Sequence, residues 1–350
     1  MITEDLIREK LREVKYPGFS RDILSFGLVR GVTVSGADVT VEISLATKDP
    51  DIPRSIHQGI ETALQSVPGI GKVNIDFDIQ DPPEPVTGGV AGLGQSSIPG
   101  IKKIIAVASG KGGVGKSTVS TNLAVALSRT GAKVGLCDCD LYGPSVALML
   151  GAQDQQPMAT ENNEIIPIEA HGIKAISMGF LLSEDSPVIV RGPLATRYTQ
   201  QFLRQCLWGE LDYLVLDLPP GTGDIQLTIV QTVSVDAAVI VTTPQEVALI
   251  DARKAAAMFQ KVNVPIAGVI ENMAWFECDL GTKYPIFGSG GGAKEAERLG
   301  VPLLARIPLD MDTRERADRG EPIATVDPAE SNVSKAFAEL AARLAGLLNP

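Results

Sequence analysis

Lys116, Ser117, Asp140 and Asp217 are the residues whose types and settings suggest chemistry, and Lys116 supplies the context. It lies in Ser109-Gly110-Lys111-Gly112-Gly113-Val114-Gly115-Lys116-Ser117-Thr118, which satisfies G-x-x-x-x-G-K-[ST]. Glycines at this spacing let consecutive backbone N–H groups converge on phosphate oxygens, which a Cβ would obstruct. A helix starting at the end of the loop adds a favourable dipole. Gly110, Lys111, Gly112, Gly113, Val114, Gly115, Lys116, Ser117 and Thr118 are therefore candidate contacts of a nucleoside triphosphate. Lys116 would reach the β- and γ-phosphates, and the Ser117 hydroxyl would ligate Mg²⁺. Asp217 closes the apolar run Leu211–Asp217, and an acid after a buried strand holds Mg²⁺ directly or through water. Asp138 and Asp140 alternate in Cys137-Asp138-Cys139-Asp140, a spacing at which two carboxylates can flank a metal–phosphate site. Leu218-Pro219-Pro220-Gly221-Thr222-Gly223-Asp224 suits a loop that responds to the γ-phosphate. Asp224 there serves either as a helix cap or in catalysis, and Arg191 either faces this loop or makes a surface salt bridge.

Such residues need strands that end beside one another. Ile104–Ala108, immediately before the loop, is a short β-branched apolar run, read as a buried strand. Leu123, Val125, Ala126 and Leu127 give residues 118–130 an apolar helical face. From Ile101 onward strand and helix patterns alternate. Further strands are expected at Val134–Cys137, Ile173–Ser177, Val188–Val190, Tyr213–Leu216, Ala237–Thr242, Ile266–Glu271 and Pro302–Ile307. Helices are expected near 196–208, 224–232, 247–261, 291–299 and 330–348. This predicts an α/β fold, a doubly wound, mostly parallel sheet of the P-loop NTPase type over residues 101–350. Ligands of such sheets lie beyond the C-terminal strand ends, where the candidate residues fall. Residues 1–80 read separately as a small α+β domain in the order helix–strand–strand–helix–strand, with strand runs at Ile23–Val34, Val39–Ala46 and around Val73–Ile79. Residues 81–100, rich in Pro and Gly, read as a linker without a core.

Composition removes several function classes. The chain has 350 residues and a formal charge of −11, which disfavours nonspecific nucleic-acid binding and adhesion to anionic membranes. Four cysteines, Cys137, Cys139, Cys206 and Cys278, are too few for a disulfide scaffold. The first residues contain no apolar signal core, and no run of about 18 apolar residues occurs. A cytoplasmic protein with neither nucleic acid nor membrane as partner is expected. The C-terminal helix, with Phe337, Leu340, Leu344 and Leu347, carries only Lys335 and Arg343 as basic residues and is expected to pack on the sheet.

Lys111, a second lysine directly after the first glycine, makes the loop resemble that of the deviant Walker A ATPases (MinD, ParA, the nitrogenase iron protein). The resemblance implies a homodimer in which Lys111 reaches the partner's nucleotide. It implies that Asp140, in the first switch loop, orients the attacking water. It also implies that Asn272, in Glu271-Asn272-Met273, bonds the adenine edge, with Ile307-Pro308-Leu309-Asp310 completing the base pocket. Met273–Ala293, Asp138–Ser145, Leu216–Asp224 and Pro244-Gln245-Glu246 further resemble the Mrp/ApbC group of iron–sulfur cluster carriers, over essentially the whole chain. The small domain resembles one associated with iron–sulfur assembly, although Lys48–Pro53 lacks the cysteine its members often carry. The group implies an ATPase with slow, partner-dependent turnover that uses ATP and Mg²⁺. Its members bind a [4Fe–4S] cluster and transfer it to apoproteins, working with assembly factors. Its Cys-x-x-Cys pair is reduced here to Cys278, with Gly281 at the second position, so a dimer offers two thiolates where four are usual. Two alternatives stay open, an ATP-dependent scaffold or chaperone without cluster transfer and a MinD/ParA-like positioning ATPase. Cys137 and Cys139 are expected on the same side of their strand, as packing residues.

Overall fold

The computed structural model describes residues 2–17, 22–24, 27–47, 49–80, 97–160, 164–181 and 192–349. The strand expected at Val188–Val190 and the guanidinium of Arg191 lie outside these residues. The chain forms two compact units.

The first unit runs α1 (Glu4–Leu11), β1 (Val29–Ser35), β2 (Asp38–Ala46), α2 (Asp51–Gln65) and β3 (Val73–Gln80), the expected element order. β1 pairs antiparallel and β3 parallel with β2. Thr3 caps α1 by accepting the N–H of Leu6 at 3.3 Å. Ile7, Leu11, Val41, Ile43, Ile56 and Ile60 meet in one apolar core, the buried faces of periods 3.6 and 2. The expected strand from Ile23 begins only at Val29. Gly27, at φ +70°, donates its N–H to the Leu24 carbonyl at 2.8 Å, and that turn interrupts the extended run.

The second unit runs β4 (Ile101–Ala108), α3 (Lys116–Arg129), β5 (Val134–Asp138), α4 (Val146–Met149), β6 (Ile168–Ala170), β7 (Ile173–Ile176), α5 (Gly192–Arg204) and β8 (Leu211–Asp217). It continues with α6 (Asp224–Thr232), β9 (Ala237–Thr242), α7 (Glu246–Lys261), β10 (Ile266–Glu271), β11 (Phe276–Glu277), β12 (Lys283–Tyr284), α8 (Gly291–Leu299), β13 (Leu303–Arg306), α9 (Met311–Asp318) and α10 (Asn332–Leu348). Strands lie in the order β13-β10-β9-β4-β8-β5-β7-β6, all parallel except the β6–β7 pair. The chain moves from β4 out to β6 and β7, returns through β8, and then crosses to β9. The switch in direction falls beside β4, where such sheets bind ligands. Strands β5 and β9 are buried along their whole length and β8 at every residue but Asp212, which explains their apolar sequences. α3 is buried nearly all round, under the sheet on one side and α10 on the other. α10 places Phe337, Leu340 and Leu344 of the stripe read from sequence in that core, while Leu347 is exposed.

Sequence periodicity did not reveal α9. It buries no residue, so it has no apolar stripe, and it starts because Asp310 accepts the N–H of Thr313 at 2.7 Å.

Candidate functional site

The phosphate loop lies between the end of β4 and the start of α3, which begins at Lys116 itself. Gly113 and Gly115 take φ of +82° and +79°, a region costly to other residues. Cβ positions at Gly112 and Gly113 face open space, leaving the cradle over the loop free. Gly110 has a different reason, because a Cβ there would collide with the backbone of Asp251 in α7. The Ser109 hydroxyl donates to the Lys111 carbonyl at 2.9 Å, which closes the loop's first turn. Lys111 is half-buried.

Strand order brings the second motif to the first. β8 lies beside β4, so Asp217 ends next to the loop. Lys116 Nζ donates to Asp217 Oδ1 at 2.7 Å and to Ser117 Oγ at 3.2 Å. Ser120 Oγ donates to the same carboxylate oxygen at 2.7 Å. Lys116 is 6% exposed and Asp217 is fully buried. Asp217 Oδ2 is buried and has no hydrogen-bond partner among the described residues. An orphan carboxylate oxygen beside a serine hydroxyl at a helix start suits the hydrated shell of Mg²⁺, which binds through one or two protein oxygens and keeps waters. Ser117 and Asp217 are the residues that would hold it. The loop after Asp217 is tied back to the site. Gly221 donates its N–H to the Ser109 carbonyl at 3.1 Å, and the buried Gln226 amide donates to the Pro219 carbonyl. Asp224 is the first residue of α6.

β5 brings in the paired acids, and the structure separates their roles. Asp138 is buried and already engaged. Oδ1 accepts the Asp140 N–H at 3.0 Å, while Oδ2 accepts the Ser177 hydroxyl at 2.8 Å and the Val146 N–H at 3.3 Å. Burial, reinforced by the charge of Asp217, raises its pKa to about 7. Asp138 thus shapes the 139–146 loop. Asp140 stands on that loop, accepts the Gly143 N–H at 3.2 Å, and is also raised, chiefly by partial burial. The Cys137 and Cys139 sulfurs are 3.8 Å apart and fully buried. The Cys137 thiol is pushed well up by its bond to Cys139 and by burial, which makes it a packing group.

On the other side of β4, Asn272 follows β10. Its Nδ2 donates to the Val114 carbonyl at 2.9 Å, so it abuts the loop itself. Ile307–Asp310 runs alongside. Ala274 donates its N–H to the Ile307 carbonyl at 2.9 Å, and Leu309 donates to the Trp275 carbonyl at 2.7 Å. The chain then forms a hairpin from β11 and β12, with Cys278 and Gly281 in its turn. Gly281 takes φ +76°, and its N–H bonds the Cys278 carbonyl at 2.8 Å. Backbone N–H groups of Leu280 and Thr282 hold the half-exposed Cys278 thiol below its ordinary pKa. Leu280 at the tip is 92% exposed. Ser120 and Ser177 carry no local sequence signal; each is buried, and only its bond to Asp217 or Asp138 marks it as part of the site.

The model of the NUBPL iron-transfer P-loop NTPase family matches residues 100–345, and the model of an iron–sulfur cluster assembly protein family matches residues 4–77. The chain belongs to the iron-transfer P-loop NTPase family. An iron–sulfur cluster carrier protein of Deinococcus radiodurans is 45% identical, the match spanning 99% of this chain and 95% of the relative. One from Synechocystis is 43% identical, spanning 99% and 98%. Among solved structures, a nucleotide-binding protein from Archaeoglobus fulgidus in complex with ADP is 38% identical with a TM-score of 0.56, covering 63% of this chain and 87% of that one. The cell division ATPase MinD of Pyrococcus furiosus is 27% identical with a TM-score of 0.54, covering 70% and 99%. This iron-transfer NTPase is an ATPase, and its phosphate loop and Asp217 both lie within the matched residues. No helix among the described residues is long and apolar enough to cross a membrane.

Proposed function

We propose that this chain is an ATP-hydrolysing iron–sulfur cluster carrier of the cytosol, which receives clusters from assembly factors and passes them to apoproteins. The observation that carries this reading is the hairpin bearing Cys278, which leaves the sheet at Asn272, the residue bonded to the phosphate loop. Nucleotide site and thiol arm share one root. Catalysis follows from positioning and charge neutralisation. Loop N–H groups and Lys116 hold the phosphates. Bound at Ser117 and Asp217, Mg²⁺ would offset charge on the β- and γ-phosphate oxygens. Asp140 orients the attacking water, on a loop that Asp138 fixes. Asn272 bonds the adenine edge with the amide groups not used by Val114. Lys111 serves the nucleotide of a second copy, so the working form is a homodimer and turnover is slow until a partner engages. The two Cys278 thiolates of the dimer hold the cluster, of [4Fe–4S] type by kinship, together with ligands from outside the hairpins. Residues 1–80 form the partner-facing small domain, joined through 81–100 to the ATPase domain at 101–350.

Anaerobic reconstitution with iron counting tests this on wild type and Cys278→Ala. Wild type should take up iron and the variant should lose most of it. Equal, minimal uptake by both would sink the carrier reading. It would favour the second one, an ATP-dependent scaffold without cluster transfer, to which Gly281 in place of a second thiolate already points.

A further inference from the structure

Asn272 has a structural position that base recognition does not require. Its side-chain N–H bonds the Val114 carbonyl, and a Cβ at Gly115 would run into the same amide, so side chain and loop are in close contact. The Val114 carbonyl and the Gly115 N–H belong to one planar peptide unit. A phosphate that draws this N–H toward itself must tilt the carbonyl on the opposite side of the plane. Asn272 is therefore bonded to the carbonyl that moves with the Gly115 N–H of the loop.

The backbone of Asn272 is held in turn. Its N–H donates to the Thr242 carbonyl at 2.8 Å, and Met273 follows at φ +54°, a conformation L side chains rarely take. The Ala274–Ile307 and Leu309–Trp275 bonds, with a bridge between Phe276 and Leu309, carry an unbroken ribbon to the start of the hairpin. The chain's return, at the start of α8, is pinned as well. Buried Glu271 accepts the Gly292 N–H at 2.6 Å through one oxygen and the Arg306 guanidinium at 2.8 Å through the other. The insertion is thus fixed at both roots, while Leu280, Tyr284 and Ile286 leave its outer end exposed. A shift at Asn272 has no slack to dissipate into before Cys278.

We propose that Asn272 is a positioning residue that relays the state of the phosphate loop to the Cys278 arm, so that nucleotide changes how the thiol is presented. The proposal rests on the reading of Cys278 as the cargo thiol, and its test needs no cluster. Cys278 is half-exposed, whereas Cys137, Cys139 and Cys206 are buried, so limited iodoacetamide treatment of the full chain followed by peptide mass spectrometry reads Cys278. Alkylation rates are compared without nucleotide, with saturating Mg-ADP and with a saturating non-hydrolysable Mg-ATP analogue. Wild type should show rates that differ about fivefold or more between states, the lower end of ordinary coupling. Asn272→Ala, at nucleotide concentrations shown to saturate it, should show nearly equal rates. Met273→Gly keeps the Asn272 amide but frees the joint and should also shrink the ratio, and it decides the matter if Asn272→Ala does not fold. A wild type that ignores nucleotide overturns the proposal. So does an Asn272→Ala variant that keeps the full ratio while losing only its preference for ATP over GTP, since Asn272 would then be a base reader alone. Iron counting stands apart, because a chain that binds no iron can still pass or fail the alkylation test.

Discussion

Removing the Lys116 ammonium should destabilise the ATPase unit even without nucleotide. In the structure Lys116 and Asp217 form a pair at 2.7 Å, 6% and 0% exposed. Lys116→Ala leaves Asp217 in the sheet with one hydroxyl, that of Ser120, and an already unpartnered Oδ2. Breaking a buried pair from one side costs about 3–5 kcal/mol, far more than losing an exposed pair, because the remaining charge stays desolvated. At about 2–4 °C per kcal/mol for a domain of this size, the midpoint should fall by roughly 6 °C or more. Both tryptophans, Trp208 and Trp275, lie in this unit, so their fluorescence in urea follows it without interference from the small domain. Asp217→Asn in the Lys116→Ala background should recover a large part of the loss, since no charge is then left buried. Urea curves in which Lys116→Ala lies within about 1 kcal/mol of wild type, or in which the second substitution only adds to the first, would refute the argument that burial makes this pair one unit.

Other expectations follow from the same geometry. Asp138, raised from 3.8 to about 7, favours folding fully below about pH 4, and its contribution is lost as pH rises through 7. Wild-type stability should therefore fall by up to about 1.4 kcal/mol per pH unit across that window relative to Asp138→Asn, and parallel pH profiles of the two would contradict this. Gly110→Ala must displace the backbone of α7 at Asp251, so it should lose about 2 kcal/mol or more and bind ATP poorly in a fluorescent-nucleotide titration, with near-wild-type binding as the adverse result. Asp140→Ala should keep nucleotide affinity while phosphate release slows on the order of 100-fold, because Asp140 is assigned to the water and Asp138 to the loop. A variant that hydrolyses normally would reassign it.

The phosphate loop was legible from sequence because its chemistry is contiguous. Successive N–H groups, a lysine and a hydroxyl make the site within ten residues, and the glycines that permit it can be read directly. Cys137 and Cys139 were legible for the same reason, since period 2 alone puts them on one side, and their sulfurs lie 3.8 Å apart. Alternating strand and helix patterns likewise gave the doubly wound sheet, because a strand covered on both faces must be apolar throughout. Local pattern does not encode which strand neighbours which. Only the order β4-β8-β5-β7 brings Asp217 to Lys116 across 101 residues and Asp138 to Ser177, while Asp140 stays on the loop. Asn272 read as a base-contacting residue. Its bond to Val114, 158 residues away, comes from packing β10 and the loop around β9 and β4.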